Sequence, residues 1–153
     1  RNLKTEDYIN DTDFCIEILS RQIEAQKINI KGAPIIVAGG YGMGSKENFA
    51  LLHELADVIR GEVGATRAAV DAGFTEMERQ IGQTGVTVRP KLYIACGISG
   101  AVQHRAGMDQ SAKIISINTD PNAPINSIAD YTIIGDAMDI IPKMIKSYKN
   151  NML

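Results

Sequence analysis

The chain has 153 residues, 44% of them hydrophobic and 22% charged, with a formal net charge of −2. That length carries one domain with its own core, and the balanced charge argues against nucleic acid or an anionic membrane surface as partner. No apolar run approaches the roughly 20 residues of a membrane span, and no signal-peptide pattern opens the chain. The two cysteines, Cys15 and Cys96, form no C-x-x-C motif, so zinc and dithiol chemistry are disfavoured and reduced cytosolic thiols are the default.

Residues 1–12 are polar and read as a leader or linker. From Phe14 a helical apolar stripe follows through Ile16, Ile18, Leu19 and Ile23. Residues 1–30 are therefore expected to be leader and helix, with 31–153 the main domain. APIIVAGG is a buried strand by its length, its apolar content and its terminal glycines. Ser45 is placed to cap KENFALLHELADVIR, where Phe49, Leu52, Leu55, Ala56 and Ile59 recur at helical spacing, and Gly61 to close it. GATRAAVDAG and QIGQTGVTV, rich in glycine and threonine, show neither period and are expected to be short β-like or irregular pieces. KLYIACG, AKIISIN and YTIIGD are three further buried strands, NTDPNAP is a loop, and the chain ends in a helix whose first turn Pro142 confines or kinks.

Four buried strands alternating with helices predict an α/β domain built on a parallel sheet flanked by helices. In such sheets ligands sit beyond the carboxyl ends of the strands, and GGYGMGS, GISGAVQH and NTDPNAP all follow strands. GISGAVQH offers an expected N-cap at Ser99 and a helix beginning at Ala101, an arrangement suited to an anion, although a plain strand-to-helix turn reads equally well. GGYGMGS misses the strict dinucleotide fingerprint because Ser45 stands at the third glycine position, and there is no Walker A lysine. Gly97 to Ala101 only brush the nucleophile elbow, since His104 lies five residues after Ser99 on one short helix and cannot easily reach back. His53 reads as a surface or boundary residue. Arg67, with Thr66, Gln83 and Thr84, offers a cation and hydrogen-bonding groups without a nucleophile or metal cluster; Arg67 could equally pair with Asp71 on the surface. Such a set suits a bound redox cofactor better than hydrolysis.

The segments VAGGYGMGSKENF, LADVIRGEVGATRAAVDAGF, QIGQTGVTVRPKLYIACGISGAVQHRAGM and INTDPNAPINSIADYTIIGD resemble the C-terminal, FAD-binding domain of electron transfer flavoprotein alpha subunits, in order from about Pro34 to Pro142. The resemblance implies a Rossmann-like three-layer domain that holds one FAD. It places Arg67 over the flavin ring beside Thr66, and Ile81, Gly82, Gln83 and Thr84 along one ring edge. His104 would be a donor at the pyrimidine end. Ser99, Gly100, Ala101, Val102 and Gln103 would meet the ribityl and pyrophosphate region, and Asn118, Asp136 and Ala137 the adenosine half. Tyr41 stands where the family usually has arginine, which puts the flavin potential in question. The resemblance also implies an electron carrier rather than an enzyme, paired with a beta subunit and working between a donor dehydrogenase and a downstream acceptor. Whether the intact complex bifurcates electrons stays open. A bacterial or archaeal cytoplasm is expected rather than a mitochondrial matrix. A further α/β domain would precede this one, which fits Arg1 as first residue. The alternatives are a nucleotide- or NAD-binding domain of a related parallel-sheet enzyme, and an interaction domain that has lost its cofactor.

Overall fold

Short runs of branched and small apolar residues, each closed by glycine or a polar cluster, become inner strands here because both their faces are covered. A computed structural model describes residues 30–151. The leader and the helical stripe from Phe14 lie outside the described residues. Strands β1 (Ile35–Gly39), β2 (Glu62–Ala65), β3 (Leu92–Cys96), β4 (Lys113–Asn118) and β5 (Tyr131–Ile134) form one parallel sheet in the order β2-β1-β3-β4-β5. The four expected strands are all present, but β5, expected to be buried, is an edge strand exposed along its length. The fifth, β2, falls in EVGA, whose last two residues open the segment read as β-like or irregular.

One face of the sheet, through Val37, Val63, Ile94 and Ile117, packs on helices α1 (Lys46–Ile59) and α4 (Ala137–Asn151). Phe49, Leu52 and Leu55 of α1 are buried there, each contributing about 2 kcal/mol by removal from water. The other face, through Ile36, Ala38, Tyr93, Ala95 and Ile114, is covered by Ile81, Val88, Ile98, Met108 and Ile125. These residues come from loops and single turns, so the third layer is mostly irregular chain rather than long helices.

Ser45 caps α1 as expected, its hydroxyl accepting from the Asn48 amide at 3.2 Å. The other end departs from expectation. Arg60, not Gly61, takes the left-handed conformation (φ 62°), and the Gly61 amide returns to the Ala56 carbonyl at 2.7 Å in a Schellman turn. Gly61 is needed one step later, because a Cβ there would stand 2.8 Å from the Ile35 carbonyl oxygen. Pro142 also differs: it is the sixth residue of α4, inside the helix, and the burial of Ile141 and Ile145 carries the helix past it.

After β1 the chain runs through α1 to β2 on one side, and after β3 it runs to β4 on the other. Adjacent strands β1 and β3 thus send their connections in opposite directions, which opens a crevice at their carboxyl ends.

Candidate cofactor site

The floor of that crevice is backbone against backbone. The Gly40 amide donates to the Cys96 carbonyl at 2.9 Å and the Gly42 amide to the Gly97 carbonyl at 3.1 Å. Gly97 has φ 64°, and a Cβ on it would lie 2.9 Å from the Gly42 carbonyl carbon and 3.0 Å from the Met43 amide. Only glycine satisfies both the turn and the approach.

On this floor stands a cavity of about 690 Å³. Its wall takes Gly40, Tyr41 and Gly42 after β1, Thr66, Arg67 and Asp71 after β2, and the loop Gln80 to Thr84. It continues through Gly97 to Ala101, Gln103 and His104 after β3, and Asn118, Asp120 and Ala123 after β4. The cavity therefore runs past four strand ends, three inter-strand spacings or about 14 Å.

Thr66 is the N-cap of the five-residue helix α2 (Arg67–Asp71), its hydroxyl accepting from the Ala69 amide at 3.2 Å. This segment was expected to be β-like or irregular, not helical. The cap places Arg67 at the cavity mouth, where its Nε lies 3.5 Å from Asp71 Oδ2 with both side chains about two-thirds exposed. Cavity lining and surface pairing, read above as alternatives, hold together.

The Gln80–Thr84 loop is tied at several points. The Ile81 amide donates to the Ala65 carbonyl at 2.8 Å, the Gln83 amide to the Gln103 carbonyl at 2.8 Å, and the Val86 amide to the Gln80 carbonyl at 2.8 Å. Behind it Arg79 Nη1 donates to the Val63 carbonyl at 2.9 Å, and its Nε pairs with Glu76 at 3.2 Å. The loop is thereby clamped to the end of β2.

The turn after β3 differs from expectation. Helix α3 (Val102–Arg105) is a single turn with Ala101 at its N-cap, and Ser99 caps nothing. The Ser99 carbonyl instead accepts from the Ile125 amide at 2.9 Å. Gly100 (φ 90°) packs so closely on Ile125 that the chain must finish its reversal before any helix starts. One turn of helix supplies little dipole, so the anion site expected from a helix N-terminus has no such basis.

His104 borders the cavity but is buried, with Nε2 2.7 Å from the Tyr93 hydroxyl and Nδ1 3.0 Å from the Ile81 carbonyl. Burial holds its pKa down at about 4. In this arrangement it has no spare N–H for a ligand and cannot serve Ser99 as a base. Asn118 Nδ2 donates to the Ile98 carbonyl at 2.9 Å while Oδ1 accepts from the Asp120 amide at 3.0 Å, stapling the turns after β3 and β4 together.

Of the sixteen residues singled out from the sequence, Val102, Asp136 and Ala137 do not line the cavity. Val102 points into solvent, Asp136 Oδ1 accepts from the Met138 amide at the start of α4, and Ala137 is buried against the helical layer. Sequence reasoning missed Gln80, and it read Asp71 only as a surface partner of Arg67 rather than as a cavity residue. Their signal was weak: each stands four residues from a residue already singled out, Thr84 and Arg67. Among the described residues, no three His, Cys, Asp or Glu gather to hold a metal ion.

A parallel sheet with a glycine-floored polar cavity at its switch point defines the class of cofactor-binding α/β domains. A profile of the family described as "Electron transfer flavoprotein FAD-binding domain" matches residues 29–109, and the chain belongs to that family. It is 52% identical over 148 residues to the electron transfer flavoprotein subunit alpha of Thermoanaerobacterium thermosaccharolyticum, covering 96% of this chain and 45% of that protein. It is 56% identical over 123 residues to the protein FixB of Azotobacter vinelandii, covering 80% and 34%. With the mitochondrial electron transfer flavoprotein subunit alpha of Dictyostelium discoideum it shares 49% over 128 residues, covering 84% and 36%. The chain thus spans between a third and a half of the length of these relatives.

Proposed function

We propose that the cavity holds FAD and that the chain is the flavin domain of an electron carrier. The observation that carries this is the continuous cavity from Arg67 past β1 and β3 to Asn118, on a floor that only glycine permits. Its volume falls within the range of about 300–1,000 Å³ typical of small-molecule and cofactor sites. Its length suits an elongated dinucleotide better than a compact substrate. Bound FAD supplies the redox chemistry, taking up electrons and passing them on.

Arg67 and Thr66, with Ile81, Gly82, Gln83 and Thr84, bind the flavin end. Tyr41 closes that end from the β1 side, stacked on Phe74 with ring centroids 5.9 Å apart. His104 supports the wall through its hold on the Ile81 carbonyl. Ser99, Gly100, Ala101 and Gln103 meet the middle of the cofactor through backbone and side chains. Asn118 meets the adenosine half. No group here acts as a protein nucleophile.

The relatives named subunit alpha support a partner subunit, the beta subunit of a heterodimer. The carrier takes electrons from a dehydrogenase and delivers them to a downstream acceptor. No helix among the described residues is long and apolar enough to cross a membrane, and relatives of bacterial origin support a bacterial cytoplasm.

The test is a visible spectrum of the chain after incubation with FAD and gel filtration, followed by anaerobic reduction. Retained flavin bands that bleach and return support the reading. A colourless protein that instead retains NAD overturns it.

A further inference from the structure

Gln80 is polar, only 8% exposed, and faces the cavity, yet within QIGQTG it was not one of the residues singled out. A buried amide needs partners, and the partner its Nε2 has is the Thr84 hydroxyl at 2.9 Å. The backbone brings the two together: the Val86 amide bonds to the Gln80 carbonyl at 2.8 Å and the Gly85 amide to the Gly82 carbonyl at 3.1 Å. The loop therefore closes on itself, with positions 80 and 84 facing across its neck.

A threonine hydroxyl has one proton to give and lone pairs to receive. When Nε2 of Gln80 donates to Oγ1, that oxygen is an acceptor on this side and its proton must point elsewhere. Among the described residues Thr84 Oγ1 makes no other side-chain hydrogen bond, and the side chain is exposed at the cavity wall. Accepting one bond also strengthens the bond that the same hydroxyl donates.

We propose that Gln80 is a positioning residue that turns the Thr84 hydroxyl into an oriented donor toward the ligand in this cavity. The ligand part of this inference rests on the flavin reading above. Gln80 touches Thr84 rather than the ligand's reacting atoms, and its effect passes through that one hydroxyl.

Two arms test it in the full chain. In the ligand-free protein, the Gln80 side-chain amide resonances should shift on Thr84→Val and become more solvent-exchangeable. Amide resonances unmoved by Thr84→Val overturn the pairing. In the second arm FAD is titrated into Gln80→Leu, Thr84→Val and the double variant, with thermal midpoints confirming that each is folded. Each single change should weaken FAD binding about five- to tenfold, the double no more than either alone, because the pair acts as a unit. Gln80→Glu inverts the bond, since a carboxylate takes the Thr84 proton; Thr84→Val should then cost nothing further. Additive losses in the double variant overturn the proposal. A parent chain that binds no FAD while its Gln80 amide responds to Thr84→Val overturns the flavin reading and upholds the orientation of Thr84.

Discussion

The Tyr93 hydroxyl and His104 Nε2 lie 2.7 Å apart between β3 and the loop over it, closed off from solvent. The opposite nitrogen, Nδ1, faces the Ile81 carbonyl, which can only accept, so Nδ1 carries the proton. Nε2 is then the bare nitrogen that accepts from Tyr93. Burial pushes the Tyr93 hydroxyl well above its usual range and His104 down to about 4, so both keep these protonation states at neutral pH. The neutral ring is a strut from the sheet to the loop that forms the cavity wall.

Acid should therefore weaken the fold through His104. The unfolded ring binds a proton near 6.5 and the folded one near 4, so the unfolded state gains protons first as pH falls. Stability is full above 6.5 and declines between 6.5 and 4, reaching roughly 3 kcal/mol of loss at about 1.4 kcal/mol per tenfold change in proton affinity. His53, also lowered, acts in the same direction, whereas Glu76, lowered from 4.5, acts only at lower pH. Urea unfolding of the chain and of His104→Gln across this range checks the assignment: the variant should lose less stability by about that amount. Parallel curves would remove His104 as the cause.

Gly97→Ala should damage the fold and the site together. Its Cβ would press on backbone atoms of Gly42 and Met43 in a left-handed conformation that alanine disfavours. The expected cost is about 1–3 kcal/mol, and FAD retention should fall more than thermal stability alone explains. Thermal melting and flavin retention, measured on the same sample, read both effects.

Much of this was legible in the sequence, and the gaps have physical reasons. The strands β1, β3, β4 and β5 declared themselves through branched apolar residues, while β2 is four residues long and carries a glutamate and a glycine. It is a strand because it pairs with β1, a tertiary cause that its own pattern does not show. Thr66 looked like part of an irregular stretch because a five-residue helix is too short to display a period. Ser99 looked like a cap because local chemistry favours it, but the contact of Gly100 with Ile125 delays the helix. Gln80 drew no notice because its importance lies in a partner across a loop whose closure the sequence does not state.

The Arg67–Asp71 pair places a cation and an anion together at the cavity mouth. Arg67→Ala should lower the midpoint potential of bound flavin, and Asp71→Asn should raise it by unmasking the cation. Both side chains are well exposed, so about 1 kcal/mol each is expected, or ~40 mV for a one-electron step. Redox titration decides, and equal potentials in all three proteins would place the flavin away from this pair.

Tyr41→Arg introduces a cation at the cavity wall and gives up the stack on Phe74. The potential should rise, while stability falls by less than about 1 kcal/mol because Tyr41 is exposed. Spectroelectrochemistry and a denaturation curve measure the two consequences separately.

If this cavity is a flavin site that a partner subunit completes, an FAD titration before and after addition of the beta subunit will show it. Saturable binding of one FAD per chain is expected, tightened by the beta subunit and weakened by Gly97→Ala. No saturable FAD binding either with or without the beta subunit, or binding indifferent to Gly97→Ala, would contradict it.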